Sequence, residues 1–148
     1  MANSGRPTDY SPALVGLICE RIADGESLRS ICLDDDMPAK ATVFRWLAAH
    51  EAFRDQYARA REAQADTFFE DVVDIADDGR NDTYKDDEGN ARTDHDVIAR
   101  SRLRVDARKW AASKLNPKKY GEKVALTGDE GGPLQINVVQ RAQTRSSA

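Results

Sequence analysis

The sequence predicts a mainly α-helical fold: an N-terminal helix-turn-helix, a central hairpin of two long helices, and short β-strands at the C-terminal end. Three observations predict it. Apolar residues recur at helical spacing in three short stretches before residue 50 and in two long ones after it. Glycine, proline and aspartate punctuate the short stretches at turn length. Beyond Gly121 the pattern changes from helical to alternating, most clearly in Leu134, Ile136 and Val138.

Residues 1–11, polar with Gly5 and Pro7, read as a flexible arm. Pro12 can open a helix at its first turn, where its missing N–H costs nothing. Leu14, Val15, Ile18 and Ile22 follow at helical spacing, and Gly25 stops the helix. Ser27 is an N-cap for a short second helix carrying Leu28, Ile31 and Cys32. Asp34, Asp35, Asp36 and Pro38 break that helix. A third runs from about Ala39 to His50, with Val43, Trp46 and Leu47 on one face. Three short helices so joined fit a helix-turn-helix over residues 12–52, with the third as recognition helix. At about 100° per residue, Arg45 then points close to the centre of the opposite face, flanked by Ala41, Ala48 and Ala49. Lys40 and Thr42 stand in the first turn, the part that meets base edges or phosphate in this motif. An ordinary three-helix bundle with a merely solvated Arg45 fits the same residues.

A helical oligomerisation region is expected over residues 53–120. Its first helix runs from about Glu51 to Ala76, with Phe53 and Tyr57 as i,i+4 partners. Phe68, Val72 and Ile75 form one stripe, and Phe69, Val73 and Ala76 a neighbouring one. Two stripes make an apolar arc too broad for one helix to cover, which points to a subunit interface. Residues 77–94 read as an exposed acidic loop, in which Thr83-Tyr84-Lys85 and Ala91-Arg92-Thr93 can pair as a small hairpin. The second long helix runs from about His95 to Leu115, with Ile98, Leu103, Ala107, Trp110 and Ala111 as its packing side. Asn116-Pro117 ends it. Residues 121–140 form a β segment, in which 123–127 and 134–139 are strand-like. Two isolated strands are unstable, so they call for partners, most simply the same strands of neighbouring subunits. Residues 141–148 read as a disordered tail.

The 148 residues, 40% hydrophobic and 32% charged, allow only a thin core, and such chains often gain burial by oligomerising. The net charge of −4 alone argues against nucleic acid, but it averages two opposed blocks. Residues 66–96 hold 12 acids against three bases, a net of −9; residues 100–123 hold nine bases against two acids, a net of +7. Such blocks suggest complementary surfaces, within or between subunits. Residues 1–60 carry seven bases and nine acids, so one subunit should bind DNA weakly.

Catalytic patterns are missing. No phosphate-cradling Gly-x4-Gly-Lys-[Ser/Thr] loop occurs, which argues against an ATPase. His50 and His95 are far apart and outside any zinc pattern. Asp86-Asp87-Glu88-Gly89 resembles a calcium loop only superficially, since Tyr84 falls where the first carboxylate is required. Three consecutive aspartates at 34–36 do not converge as a two-metal cluster would. No enzyme activity, metal or cofactor is expected. Cys19 and Cys32 read as small buried hydrophobes of a reducing compartment. No apolar run is long enough for a membrane span, and residues 1–7 have no signal-peptide core, so a soluble intracellular protein is expected.

Three stretches, taken together, carry a resemblance. They are Gly5-Arg6-Pro7-Thr8-Asp9-Tyr10, then the segment from Met37 to Leu47, then Leu103 to Trp110 leading to Asn116-Pro117-Lys118-Lys119-Tyr120-Gly121. In this order and spacing the chain resembles the small terminase subunits of tailed bacteriophages over most of residues 5–125. The resemblance implies a non-catalytic adaptor that recognises double-stranded viral DNA at the packaging-initiation site. It implies recruitment and regulation of a large terminase subunit that holds the ATPase and nuclease. It also implies a ring of about eight to ten identical subunits with the C-terminal strands in an intersubunit barrel. The place of action implied is the cytoplasm of the infected bacterium, not the mature virion. By position, Lys40 and Arg45 carry over as DNA contacts, with Thr42, Arg6 and Arg29 behind them. Phe68, Phe69, Val72, Val73, Leu103 and Trp110 are the expected oligomerisation residues. A helix-turn-helix transcriptional regulator or recombination accessory protein, dimeric on a palindromic site, is the alternative.

Overall fold

A computed structural model describes residues 5–123, 127 and 131–133. Helix α1 spans Pro12–Ala23; Ser11 Oγ accepts the Leu14 amide and proline occupies the first turn. Gly25 then reverses the chain at φ +104°, a conformation that only glycine adopts without strain. Ser27 caps α2, Leu28–Ile31, by accepting the Ser30 amide. Helix α3, Lys40–Ala49, follows the Asp34–Asp36 turn, and α4, Glu51–Asp77, follows after the single residue His50. Two three-residue strands, β1 Thr83–Lys85 and β2 Ala91–Thr93, pair antiparallel with Tyr84 opposite Arg92. Asp94 caps α5, His95–Leu115, through the amides of Asp96 and Val97. Asn116 accepts the Lys119 amide and so starts a short turn of helix, α6, Pro117–Tyr120. Among the described residues, no helix is long and apolar enough to cross a membrane.

One hydrophobic core gathers Val15, Ile18 and Ile22 of α1, Leu28 and Ile31 of α2, Met37 of the segment before α3, Val43 and Trp46 of α3, and Phe53 and Ala60 of α4. Phe53 is 0% exposed. The boundary expected at residues 52/53 therefore falls inside a single apolar cluster. Polar bonds carry the same attachment further along α4. The buried Gln64 amide donates to the Glu26 carbonyl (2.9 Å), and Thr67 Oγ1 donates to the Ala23 carbonyl (2.7 Å). The Ala23 carbonyl ends α1 and the Glu26 carbonyl lies in the turn that follows, so α4 stays attached to the helix-turn-helix from Phe53 as far as Thr67.

Residues 5–11, expected as a flexible arm, are docked. Arg6 donates to the Cys32 and Leu33 carbonyls at the end of α2. The Tyr10 ring stacks on His50 at 3.6 Å between centroids and meets Trp46 edge-on at 5.5 Å. The arginine satisfies carbonyls that a helix end leaves without partners, which gives a polar segment a physical reason to stay put.

Helices α4 and α5 pack as an antiparallel hairpin, in which Ala65 and Ile75 of α4 and Ala112 of α5 are buried. The packing side of α5 differs from the expected one. Val97, Ile98, Ser101, Val105, Arg108 and Ala112 turn inward or partly inward, whereas Leu103, Ala107 and Trp110 are exposed. Small residues and one paired arginine permit a close approach that a row of large side chains would not. The strands expected at 134–139 and across most of 123–127, and the tail 141–148, lie outside the described residues.

Candidate nucleic-acid and subunit interfaces

The core decides what α3 presents. Val43 and Trp46 are buried, Leu47 partly so, and Thr42 joins them at 6% exposure. Burial sets Thr42, expected among the DNA-facing residues, at the edge of the core. It also rotates the outward face: at about 100° per residue the centre lies between Ala41 and Ala48, not at Arg45. Arg45 flanks that centre on one side, Phe44 and then Lys40 on the other. Arg45 Nη2 donates to Thr42 Oγ1 (3.2 Å), so the threonine orients the arginine from beneath. Lys40 Nζ sits 5.7 Å from the Phe44 ring centroid. No side chain caps the N-terminus of α3.

Ion pairing sorts the cations of this region into two groups. Arg21 binds Glu26 at 2.7 Å and Asp34 at 2.6 Å. Hydrogen bonding by Arg21 holds the Glu26 carboxyl below its usual range. Arg54 donates to the Leu47 and Ala48 carbonyls at the end of α3, and Arg61 to Tyr57 and Gln64. Arg6 adds a contact to Asp35 at 3.8 Å beside its bonds to α2. These four are committed to the fold. Arg29, Lys40, Arg45 and, on α4, Arg59 are exposed and form no ion pair with a described carboxylate. The acidic turn is thus partly neutralised from within, while the two positive charges of α3 have no carboxylate partner among the described residues. Both cysteines are buried and free, and burial pushes their thiols up.

The second candidate surface is the outside of the hairpin. Leu103 is 62% and Trp110 66% exposed on α5; Phe69 and Val73 are about half exposed on α4. Val72 is half-buried and shares a groove with Phe69, Trp110 and Tyr120. Phe68 lies closer to the interior, with its Cε1 against the Gly25 turn. The opposed charge blocks meet within the chain at two places. Arg108 Nε bonds Asp71 at 2.7 Å. Asp66 accepts from Tyr120 Oη (2.6 Å) and Lys119 Nζ (2.9 Å), which together hold its carboxyl below the usual range. Tyr120 also stacks on Phe69 at 5.3 Å, so α6 is latched to α4 by one carboxylate and one ring.

Sequence reasoning missed Phe44. Its signal was present, since it lies about 100° from both Val43 and Arg45 and so outside the apolar stripe. It also missed Arg6, Arg54 and Thr67 as ties between elements.

Residues 10–127 match the family described as "Bacteriophage Sf6, terminase small subunit-like". The fold is similar to crystal structures of the terminase small subunit gp1 of the bacterial virus Sf6, solved with different single substitutions. Two of these are 45% identical and a third 44%; each has a TM-score of 0.67, with 94% of this chain and 99% of that chain covered. No curated protein sequence matches the chain.

Proposed function

The chain belongs to the Sf6 terminase small subunit-like family, whose role lies in packaging phage DNA, and on that premise we propose that it is the non-catalytic DNA-recognition subunit of the packaging machine. In this reading it binds double-stranded viral DNA at the packaging-initiation site, in the cytoplasm of the infected host. It assembles as a homo-oligomeric ring and brings the large terminase subunit, with its ATPase and nuclease, to that site. The observation that carries the reading is the outer face of α3. Lys40 and Arg45 stand free of carboxylates there, on a helix braced by a closed core.

Lys40, near the N-terminus of α3, suits a phosphate contact that sets the helix in the major groove; Arg45 suits a base edge. Arg29, exposed on α2, adds a backbone contact. Arg6 is the weakest of the five expected contacts, because its guanidinium already serves the end of α2. A net of −2 over residues 1–60 makes each subunit a weak binder, so affinity comes from several recognition helices held at high effective concentration. Phe69, Val72, Val73, Leu103 and Trp110, with Phe68 beneath them, supply the apolar contacts that build the assembly. An isolated helical hairpin with this much exposed apolar surface favours association.

The test is binding of the full chain to overlapping duplex fragments of the viral genome, across a salt series. One fragment is expected to bind tightest, with an affinity that falls as salt rises because phosphate contacts release counterions. Lys40→Ala should weaken all fragments alike and lower the salt slope by about 1 per engaged subunit. Arg45→Ala should narrow the preference for the tightest one. Parental binding by both variants would remove α3 from the interface.

A further inference from the structure

We propose that Phe44 is a specificity-determining residue of the recognition helix, and that its ring reads the C5-methyl groups of thymines in the major groove. The inference rests on the DNA-binding reading of α3 above. It starts from an imbalance on that helix. The outward face consists of Lys40, Ala41, Phe44, Arg45, Ala48 and Ala49, and Phe44 is its one large apolar side chain, 51% exposed. Beside it the core holds Val43 at 0% and Trp46 at 5% exposure, so the phenyl ring is outside a core that is already closed.

The neighbours of the ring fit a groove reader. Ala41 and Ala48 form the centre of the face and leave it low, so the ring and the Arg45 guanidinium are the two groups that project from it. They stand about 100° apart around the helix, on opposite sides of the small residues. Lys40 Nζ lies 5.7 Å from the ring centroid, which places a positive charge next to the apolar group. A lysine that anchors a phosphate would therefore hold the ring at the groove wall. In the major groove only thymine offers an apolar group, its C5-methyl, and apolar side chains contact it. Arg45 would read guanine on one side of the helix and Phe44 thymine on the other.

Removal of the methyl groups isolates this contact. The probe is the tightest-binding viral fragment, synthesised once with thymidine and once with deoxyuridine throughout, which keeps base pairing and deletes only the methyls. The parent chain should bind the deoxyuridine duplex more weakly, by about fourfold for each methyl the ring covers, the transfer value of one buried methyl group. Phe44→Ala should weaken binding to the thymidine duplex and bind both duplexes equally. Phe44→Leu should restore part of the difference. Arg45→Ala should weaken binding yet keep the thymidine preference. Thermal unfolding of Phe44→Ala should match the parent, as for an exposed side chain. Equal thymidine preference in parent and Phe44→Ala overturns the assignment while leaving DNA recognition by α3 intact. A drop in native mass on Phe44→Ala also overturns it, by making Phe44 a subunit contact. Failure of the parent to bind any fragment refutes the DNA-binding reading itself.

Discussion

The two halves of the molecule treat their large apolar residues in opposite ways. In the first, Val15, Ile18, Ile22, Ile31, Met37, Val43 and Phe53 are closed off from solvent by three short helices and the start of α4. In the second, a two-helix hairpin buries little beyond Ala65, Ile75 and Ala112, while Phe69, Val73, Leu103 and Trp110 remain open. The first half is the more apolar of the two in sequence, and a single helix pair has one buried seam and two outer faces. The difference teaches that the first half is finished within one chain and the second is not. The long α4 belongs to both, so the helix-turn-helix is fixed to the half whose large apolar residues stay open.

Substitutions that strike each half separately would sharpen or break this contrast. Phe53→Ala has the largest expected effect. It removes a fully buried ring and should cost about 3–5 kcal/mol, read by chemical denaturation. Retention of parental stability would show that the N-terminal core is not closed. Trp110→Ser and Leu103→Ser come next and should act differently, with little change in secondary structure by circular dichroism but a clear loss of native mass. A parental mass for both would mean that the open face of α5 meets nothing.

Gly25→Ala tests the link between the halves. The positive φ, with Thr67 Cγ2 3.4 Å from the added Cβ, should cost roughly 1–2 kcal/mol, measured by thermal unfolding. The smallest effect belongs to the α6 latch. Tyr120 first, and Lys119 second, hold the Asp66 carboxyl below its usual range. A group lowered in the folded state contributes stability above its unfolded value of about 3.9, and that contribution is lost as pH falls through the folded value. Protection of the amides at residues 118–120, taken relative to their intrinsic exchange at each pH, should therefore fall below about pH 4. Asp66→Asn should show the lower protection already at neutral pH.

The legible parts of the fold were those set by local chemistry. Pro12 and Ser27 marked helix starts and Gly25 a stop, because caps and backbone conformation act within a few residues; Ser11, Asp94 and Asn116 emerge as caps only in the structure. The small hairpin at 83–93 was legible for the same reason. The face of α5 was not, because its packing is set by closeness. Ser101, Val105 and Ala112 let α4 approach, and Arg108 enters with Asp71 as its partner, so apolar size pointed to the wrong side. For the candidate site, Lys40 and Arg45 emerge on the exposed face as periodicity required. Thr42 does not, because the small hydroxyl fits beneath Arg45 and completes the core edge. Arg6 and Tyr10 could not be read from a polar segment whose partners lie 26 and 40 residues away.

The native mass of the full chain at micromolar concentration tests the central claim most directly, since the open hairpin is argued to be completed by other copies of itself. A closed ring of identical subunits, lost on Trp110→Ser, is the predicted result. A monomer, or a dimer that Trp110→Ser leaves intact, would contradict it.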